Sequence, residues 1–187
     1  MNRKLASTFA PAALLGLSLA LAAAPAGAPL DAAKSSVVAT FKQEGVAVDS
    51  PFKKFSGTIV YDAKNPAGAS AALEVDMSSL DIGDEAYNAE VRKKAWFDSA
   101  TYPKATFQST AIKAGAAGHF TATGTLTIKG KSAVINVPVT VQSTPAGSSF
   151  DGSFAISRKG FGIGDPVWDD VLEDAVTVKF HLVSAAK

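Results

Sequence analysis

His119 and His181 are the residues here best suited to metal binding or general-base chemistry, and both fall in the polar phase of alternating segments. A metal centre needs three or four converging ligands. The chain has no cysteine, and neither histidine has acidic company at ligand spacing. Both are expected to be solvent-facing sheet residues. The string GFGIGD (160–165) mimics a phosphate-binding glycine loop, but its glycines alternate and no helix clearly follows, so it reads as a turn. None of the serines stands in a nucleophile-elbow context. Arg158 is the charged residue of most interest, because it continues the inward phase of Phe154 and Ile156. It would either meet an anionic or carbonyl head group or anchor a loop by pairing with Asp98, Asp169 or Asp170. No catalytic residue and no metal ligand is assigned, and the chain is not expected to be an enzyme.

The elements that position these residues are strands. In HFTATGTLTIK, Phe120, Ala122, Gly124, Leu126 and Ile128 alternate with His119, Thr121, Thr123, Thr125 and Thr127. In VTVKFHLV, Val176, Val178, Phe180 and Leu182 alternate with Thr177, Lys179 and His181. Period two means strands with one apolar and one polar face. Eight such runs are legible, near 35–42, 54–62, 71–77, 104–113, 119–129, 131–142, 149–158 and 175–184. Turn chemistry (NPAGAS, AGAAG, KGK, TPAGSS) separates most of them. Short connections make neighbours antiparallel, and closure removes the two exposed edges. The expected fold is all-β, an eight-stranded antiparallel β-barrel.

Two connections are long. Residues 78–103 contain a helix candidate capped by Asp84, with Tyr87, Val91 and Ala95 along one face. Residues 159–174 form the other. In an up-and-down barrel, connections after odd-numbered strands emerge at one end. These follow the third and seventh runs, so both should cover the same mouth, with Arg158, Trp96, Phe97, Tyr102 and Trp168 gathered there. Trp96 and Phe97 would serve either as plug residues or as ligand contacts.

The inward phases supply Phe41, then Phe55 and Ile59, then Leu73 and Phe107. They continue with Phe120, Leu126 and Ile128, with Val137 and Val139, with Phe154 and Ile156, and with Val178 and Phe180. Ala39, Gly57, Ala71, Ala122, Gly124 and Gly152 are interleaved among them. Either these small residues leave a cavity, or they are kinks that curl the sheet while large neighbours fill the lumen. A vacant tunnel so lined would suit a long hydrocarbon, each five-carbon prenyl unit being worth roughly 4 kcal/mol at about 0.8 per buried carbon.

Arg3 and Lys4, the apolar run Ala10–Ala24 and the small-residue stretch AAAPAGAP together read as a secretory leader, residues 1–26, with cleavage between 22 and 28. The domain is then 27–187, and periplasmic localisation is expected. Of 18 basic residues, loss of Arg3 and Lys4 leaves 16 against 17 acidic ones, a formal charge of −1. That balance carries no nucleic-acid footprint, and no later run is apolar enough for a membrane helix. An outer-membrane barrel shows the same alternation turned inside out. Against it, the sequence ends HLVSAAK rather than in an aromatic, and both tryptophans lie in the long connections.

The succession FKKFSGTIVYDAKNP (52–66), VDMSSLDIGD (75–84), AEVRKKAWFDSATYPKATFQS (89–109), ATGTLTIKGKSAVINVPV (122–139) and ISRKGFGIG (156–164) resembles the YceI family of exported lipid-binding proteins over about residues 34–185. The resemblance implies a lipocalin-like barrel holding a polyisoprenoid, an isoprenoid quinone or a fatty-acid derivative, in transport, sequestration or a stress response. It implies no catalytic set and no cofactor beyond such a bound lipid or quinone. The positions matching the family's motifs, Phe97, Tyr102, Pro103, Phe107, Ser109, Gly124, Leu126, Gly130, Arg158 and Gly162, serve the fold at least as much as a ligand. Alternatives to a free carrier are an accessory that delivers quinone to a membrane cytochrome, and a barrel enzyme acting on a hydrophobic substrate. A homodimer is a further candidate assembly.

Overall fold

A computed structural model describes residues 27–145 and 147–185; the leader read from the sequence lies outside them. Among the described residues are ten strands: β1 (Ala28–Pro29), β2 (Ser36–Gln43), β3 (Val46–Pro51), β4 (Phe55–Val60), β5 (Ser70–Asp76), β6 (Lys104–Ala114), β7 (His119–Ile128), β8 (Lys131–Thr144), β9 (Gly147–Ser157) and β10 (Ala175–Ala185). Every ladder is antiparallel, in the order β1-β4-β5-β6-β7-β8-β9-β10-β2-β3. The eight runs expected from periodicity are β2 and β4–β10. The two additional strands, β1 and β3, correct the count of eight, because two residues (Ala28–Pro29) and a short VAVDSP segment carry too little alternation to register.

Those two strands close the barrel. β3 and β4 are the halves of one bent run. β3 pairs with β2, Val38 opposite Pro51, and β4 pairs with β5, Phe55 opposite Val75. Pro51, without an N–H, sits at the bend. There the Phe52 N–H donates to Val37 O at 2.9 Å, the Lys53 N–H to Ser79 O at 3.0 Å and the Asp81 N–H to Pro51 O at 3.0 Å. At the other end a gap between β4 and β10 is filled by β1, with Ala28 opposite Ile59 and Pro29 opposite Thr58. Leu30 then bridges Ser184, and the Asp31 N–H reaches Val183 O at 2.8 Å. Backbone groups that an open edge would leave unpaired are thereby satisfied.

The polar phase faces outward, where cross-strand pairs such as Thr123–Asn136 and Thr127–Ser132 form on exposed surface. His119 is exposed beside Thr140, and His181 meets Asp151 at 2.6 Å on that same face. The apolar phase faces inward, the reverse of a barrel whose apolar side meets lipid. No helix among the described residues is long and apolar enough to cross a membrane.

α1 (Glu85–Val91) lies in the 77–103 connection, and its Asp84 carboxylate accepts from the Ala86 and Tyr87 N–H groups as an N-cap. The helix is two turns long and Arg92 ends it, so Ala95 lies beyond it. Tyr87 and Val91 both turn toward the barrel, but Val91 is buried together with Asn88 while Tyr87 stays 61% exposed.

Candidate functional site

The barrel is hollow. Among the described residues the side chain with under 2% exposure is Ser50; no large apolar residue is so completely packed. Phe107, Phe120, Phe154, Phe180, Leu73 and Val178 all point inward and all remain partly accessible. In a close-packed interior such rings would be sealed by their neighbours. Here they line a cavity of about 570 Å³.

The fourteen large inward residues singled out from periodicity border this cavity: Phe41, Phe55, Ile59, Leu73, Phe107, Phe120, Leu126, Ile128, Val137, Val139, Phe154, Ile156, Val178 and Phe180. Others were not legible. Ile112 joins them because β6 bulges between Ser109 and Ala111, which moves the inward phase from odd to even numbers. Leu30, Phe52, Leu80, Ile82, Ile163 and Leu172 come from connections, where no period exists to read.

The small residues have a definite task. A Cβ on Gly124 would stand 2.5 Å from the Phe107 ring, one on Gly152 2.5 Å from the Phe180 ring, and one on Gly57 2.7 Å from a Leu73 methyl. Each glycine is covered by a large cross-strand neighbour lying against the wall, Leu73 directly opposite Gly57, Phe180 directly opposite Gly152 and Phe107 diagonal to Gly124, so the strands keep their packing while the middle stays empty. At the end away from α1, Tyr61 packs edge-on against Phe120 (5.8 Å between centroids) and Phe150 (5.5 Å). At the other end the lining includes the exposed residues Gln43, Gly83, Asp84, Tyr87 and Trp168, from the β2–β3 hairpin, α1 and the 158–174 connection. That end is the mouth.

Both long connections meet there. The Gly164 N–H donates to Ala95 O at 3.0 Å. The Lys129 ammonium, on the tight turn between β7 and β8, donates to Lys94 O (2.8 Å), Ala95 O (3.3 Å) and Gly162 O (2.6 Å). Burial lowers its pKa from the ordinary lysine value of 10.5.

Arg158 is 3% exposed and ties the 158–174 connection together. Its Nε donates to Glu173 O (3.1 Å), its Nη1 to Ile163 O (3.2 Å), and its Nη2 to Leu172 O (2.9 Å) and Asp169 Oδ1 (2.7 Å). The loop-anchoring role is the one that the geometry fulfils, with Asp169 the partner among the three aspartates considered. The GFGIGD segment wraps this guanidinium. Gly164, at φ 108°, has no room for a side chain beside Arg158 Nη1, while Phe161 and Ile163 are buried.

Trp96, Phe97 and Trp168 border the cavity at the mouth. Phe97 packs at a tilt on Phe52, 6.4 Å between centroids. Tyr102 is not among the lining residues; it is 37% exposed and lies over Gly130, where a Cβ would come within 2.8 Å of its ring. The Trp96 indole N–H is buried and has no acceptor among the described residues.

A chain with this hollow barrel and capped mouth has recognisable relatives. The crystal structure of BcnA from Burkholderia cenocepacia is 44% identical, with a TM-score of 0.81 over 83% of this chain and 99% of that one. A polyisoprenoid binding domain from Saccharophagus degradans, implicated in plant cell wall breakdown, shares the fold at 21% identity and a TM-score of 0.70, covering 87% of this chain and 100% of that one. Protein YceI of Escherichia coli O157:H7 is 32% identical over 110 residues, 59% of this chain and 54% of that protein. The model of the YceI-like domain matches residues 29–184, from β1 to near the end of β10, and the chain belongs to the YceI-like family.

Proposed function

We propose that this protein is a non-catalytic carrier or scavenger of a long-chain amphiphile, a polyisoprenoid, isoprenoid quinone or fatty-acid derivative, acting in the periplasm. The observation that carries this reading is the apolar cavity of about 570 Å³ in a barrel whose large inward side chains line an empty middle. From Val176 to Leu182, β10 runs along it for roughly 20 Å at about 3.3 Å per residue, a length suited to an extended chain. The description of the Saccharophagus degradans neighbour as a polyisoprenoid binding domain supports the ligand class, and the leader-like residues 1–26 support export.

The test is mass spectrometry of lipids extracted from protein purified under native conditions, coupled with titration by long-chain lipids. A stoichiometric long-chain species, retained through purification, is expected. Protein that is lipid-free on recovery and takes up none of the lipids offered would overturn the proposal.

A further inference from the structure

We infer that Tyr61, together with Phe120 and Phe150, is the floor of the cavity and sets the longest hydrocarbon tail that the barrel can enclose. This deepens the carrier reading above and rests on it.

Tyr61 continues the inward phase of Phe55, Gly57 and Ile59 one residue beyond β4, whose ladder with β5 ends at Val60 opposite Ser70. Its ring borders the cavity and stands edge-on to Phe120 at 5.8 Å and to Phe150 at 5.5 Å. These partners are not its neighbours in the sheet. In one direction around the wall, β5 and β6 separate β4 from Phe120 on β7. In the other, β1 and β10 separate it from Phe150 on β9. The Tyr61 ring therefore reaches across the lumen to two other parts of the wall.

Elsewhere in the barrel the rings do the opposite. Phe107 and Phe180 lie against Gly124 and Gly152 of adjacent strands and leave the middle vacant. A lumen with rings flat against its wall and three rings meeting at one end is a blind tube. Edge-to-face contact is a favourable geometry between aromatic rings, so the closure is held by its own packing. Behind Tyr61 the chain passes into residues 62–65, which are all exposed, and Ala69 and Ser70 border the cavity where that connection returns. One side chain thus stands between the lumen and a solvent-facing loop.

An amphiphile keeps its polar head in water at the exposed mouth, because burying it unpaired is costly. The tail enters first, and its tip meets the three rings. Each carbon that finds room raises affinity about fourfold, the equivalent of roughly 0.8 kcal/mol. Carbons in excess of the tube's depth stay outside the mouth and add nothing.

The test uses delipidated, leader-free protein and straight-chain primary alcohols from octanol to tetracosanol, delivered from methyl-β-cyclodextrin. Affinities come from displacement of the neutral fluorophore N-phenyl-1-naphthylamine. In the parent, affinity is expected to climb with each carbon and then level off at one chain length. Tyr61→Phe keeps the ring and should keep that break. Tyr61→Ala, with folding checked by thermal melting, should move the break to longer chains by about four carbons, the number of ~1.5 Å bonds that span the 5.5–5.8 Å between the rings. Alcohols shorter than the break should bind Tyr61→Ala and the parent alike, which a general loosening of the barrel would not allow. Val139→Phe, which adds another ring directly opposite Phe120, should move the break to shorter chains, and it tests the floor by itself if Tyr61→Ala does not fold. The absence of a break in the parent, or a break that either folded variant leaves in place, would overturn the inference while the carrier reading stands. Failure of the fluorophore and of every alcohol to bind would remove the carrier reading and this inference with it.

Discussion

Arg158 satisfies a buried charge with three backbone carbonyls and one carboxylate, so replacing it leaves several acceptors stranded at once. Arg158→Met is expected to cost about 3 kcal/mol in urea unfolding. Arg158→Lys should recover little of it, because an ammonium cannot span acceptors arranged around a planar fork. The carboxylates of the mouth make it sensitive to acid. Asp169 lies below its ordinary value of 3.8 through hydrogen bonds from Arg158 and Lys159. Asp174 is lowered by the Lys159 backbone N–H, Asp81 by that of Gly83, and Asp76 by Ser78. A carboxylate whose folded pKa is depressed contributes stability that is complete above its unfolded pKa and lost as pH falls through the folded value. Hydrogen exchange should therefore show the 77–103 and 158–174 connections loosening below about pH 4, the unperturbed carboxylate range, and tight at pH 7. Protection that is unchanged between pH 7 and pH 3 would contradict this.

At the scale of the elements, wall glycines and covering rings work as units. Gly124→Ala places a methyl in the face of Phe107 and must push that ring toward the lumen. A loss of about 1–3 kcal/mol in thermal or urea unfolding is expected, together with weaker lipid retention, since the displaced ring enters the ligand's space. The N-terminal segment is the second such element. β1 and Leu30 fill the wall between β4 and β10, and Ser35 holds the following turn by donating to Asp31 O (2.7 Å) while accepting from the Val183 N–H (2.9 Å). Leu30→Ala should cost about 1 kcal/mol from lost apolar burial. It should also raise hydrogen exchange in the facing ends of β4 and β10 while leaving β7–β8 protected. Uniform exchange across the sheet would show that the segment is not a local seal.

For the whole molecule, the empty middle is a stability reserve left unused. Val178→Trp, directed into the lumen, is expected to stabilise the fold by about 0.5–2 kcal/mol, the increment of a filled cavity, read as a rise in melting temperature, and to abolish lipid co-purification. A variant more stable than the parent but unable to retain lipid would show that vacancy is maintained for binding. Loss of both properties would mean that the cavity is less open than its lining indicates.

How much of this was legible follows from which signals are local. Strand alternation is local, because side chains on a pleated chain change faces at every residue. It therefore located eight strands and fourteen cavity-facing residues, and Asp84 announced its helix by a capping side chain within reach of its own turn. Ile112 escaped because a one-residue bulge reverses the phase, and β1 and β3 escaped because their partners, not their composition, make them strands. Tyr102 was placed at the mouth by its position in the long connection, and it packs there over the β7–β8 turn without bordering the cavity. Whether Gly57, Gly124 and Gly152 meant a void or a filled lumen depended on where rings on neighbouring strands lie down, and the partner of Arg158 on which aspartate a sixteen-residue loop returns to it. The sequence alone thus determined the barrel and which face turns inward, since both rest on periodicity within a strand. The hollow, the sealed seam and the engaged guanidinium were decided only by tertiary structure, because each is a relation between residues distant in the chain, which no local period encodes.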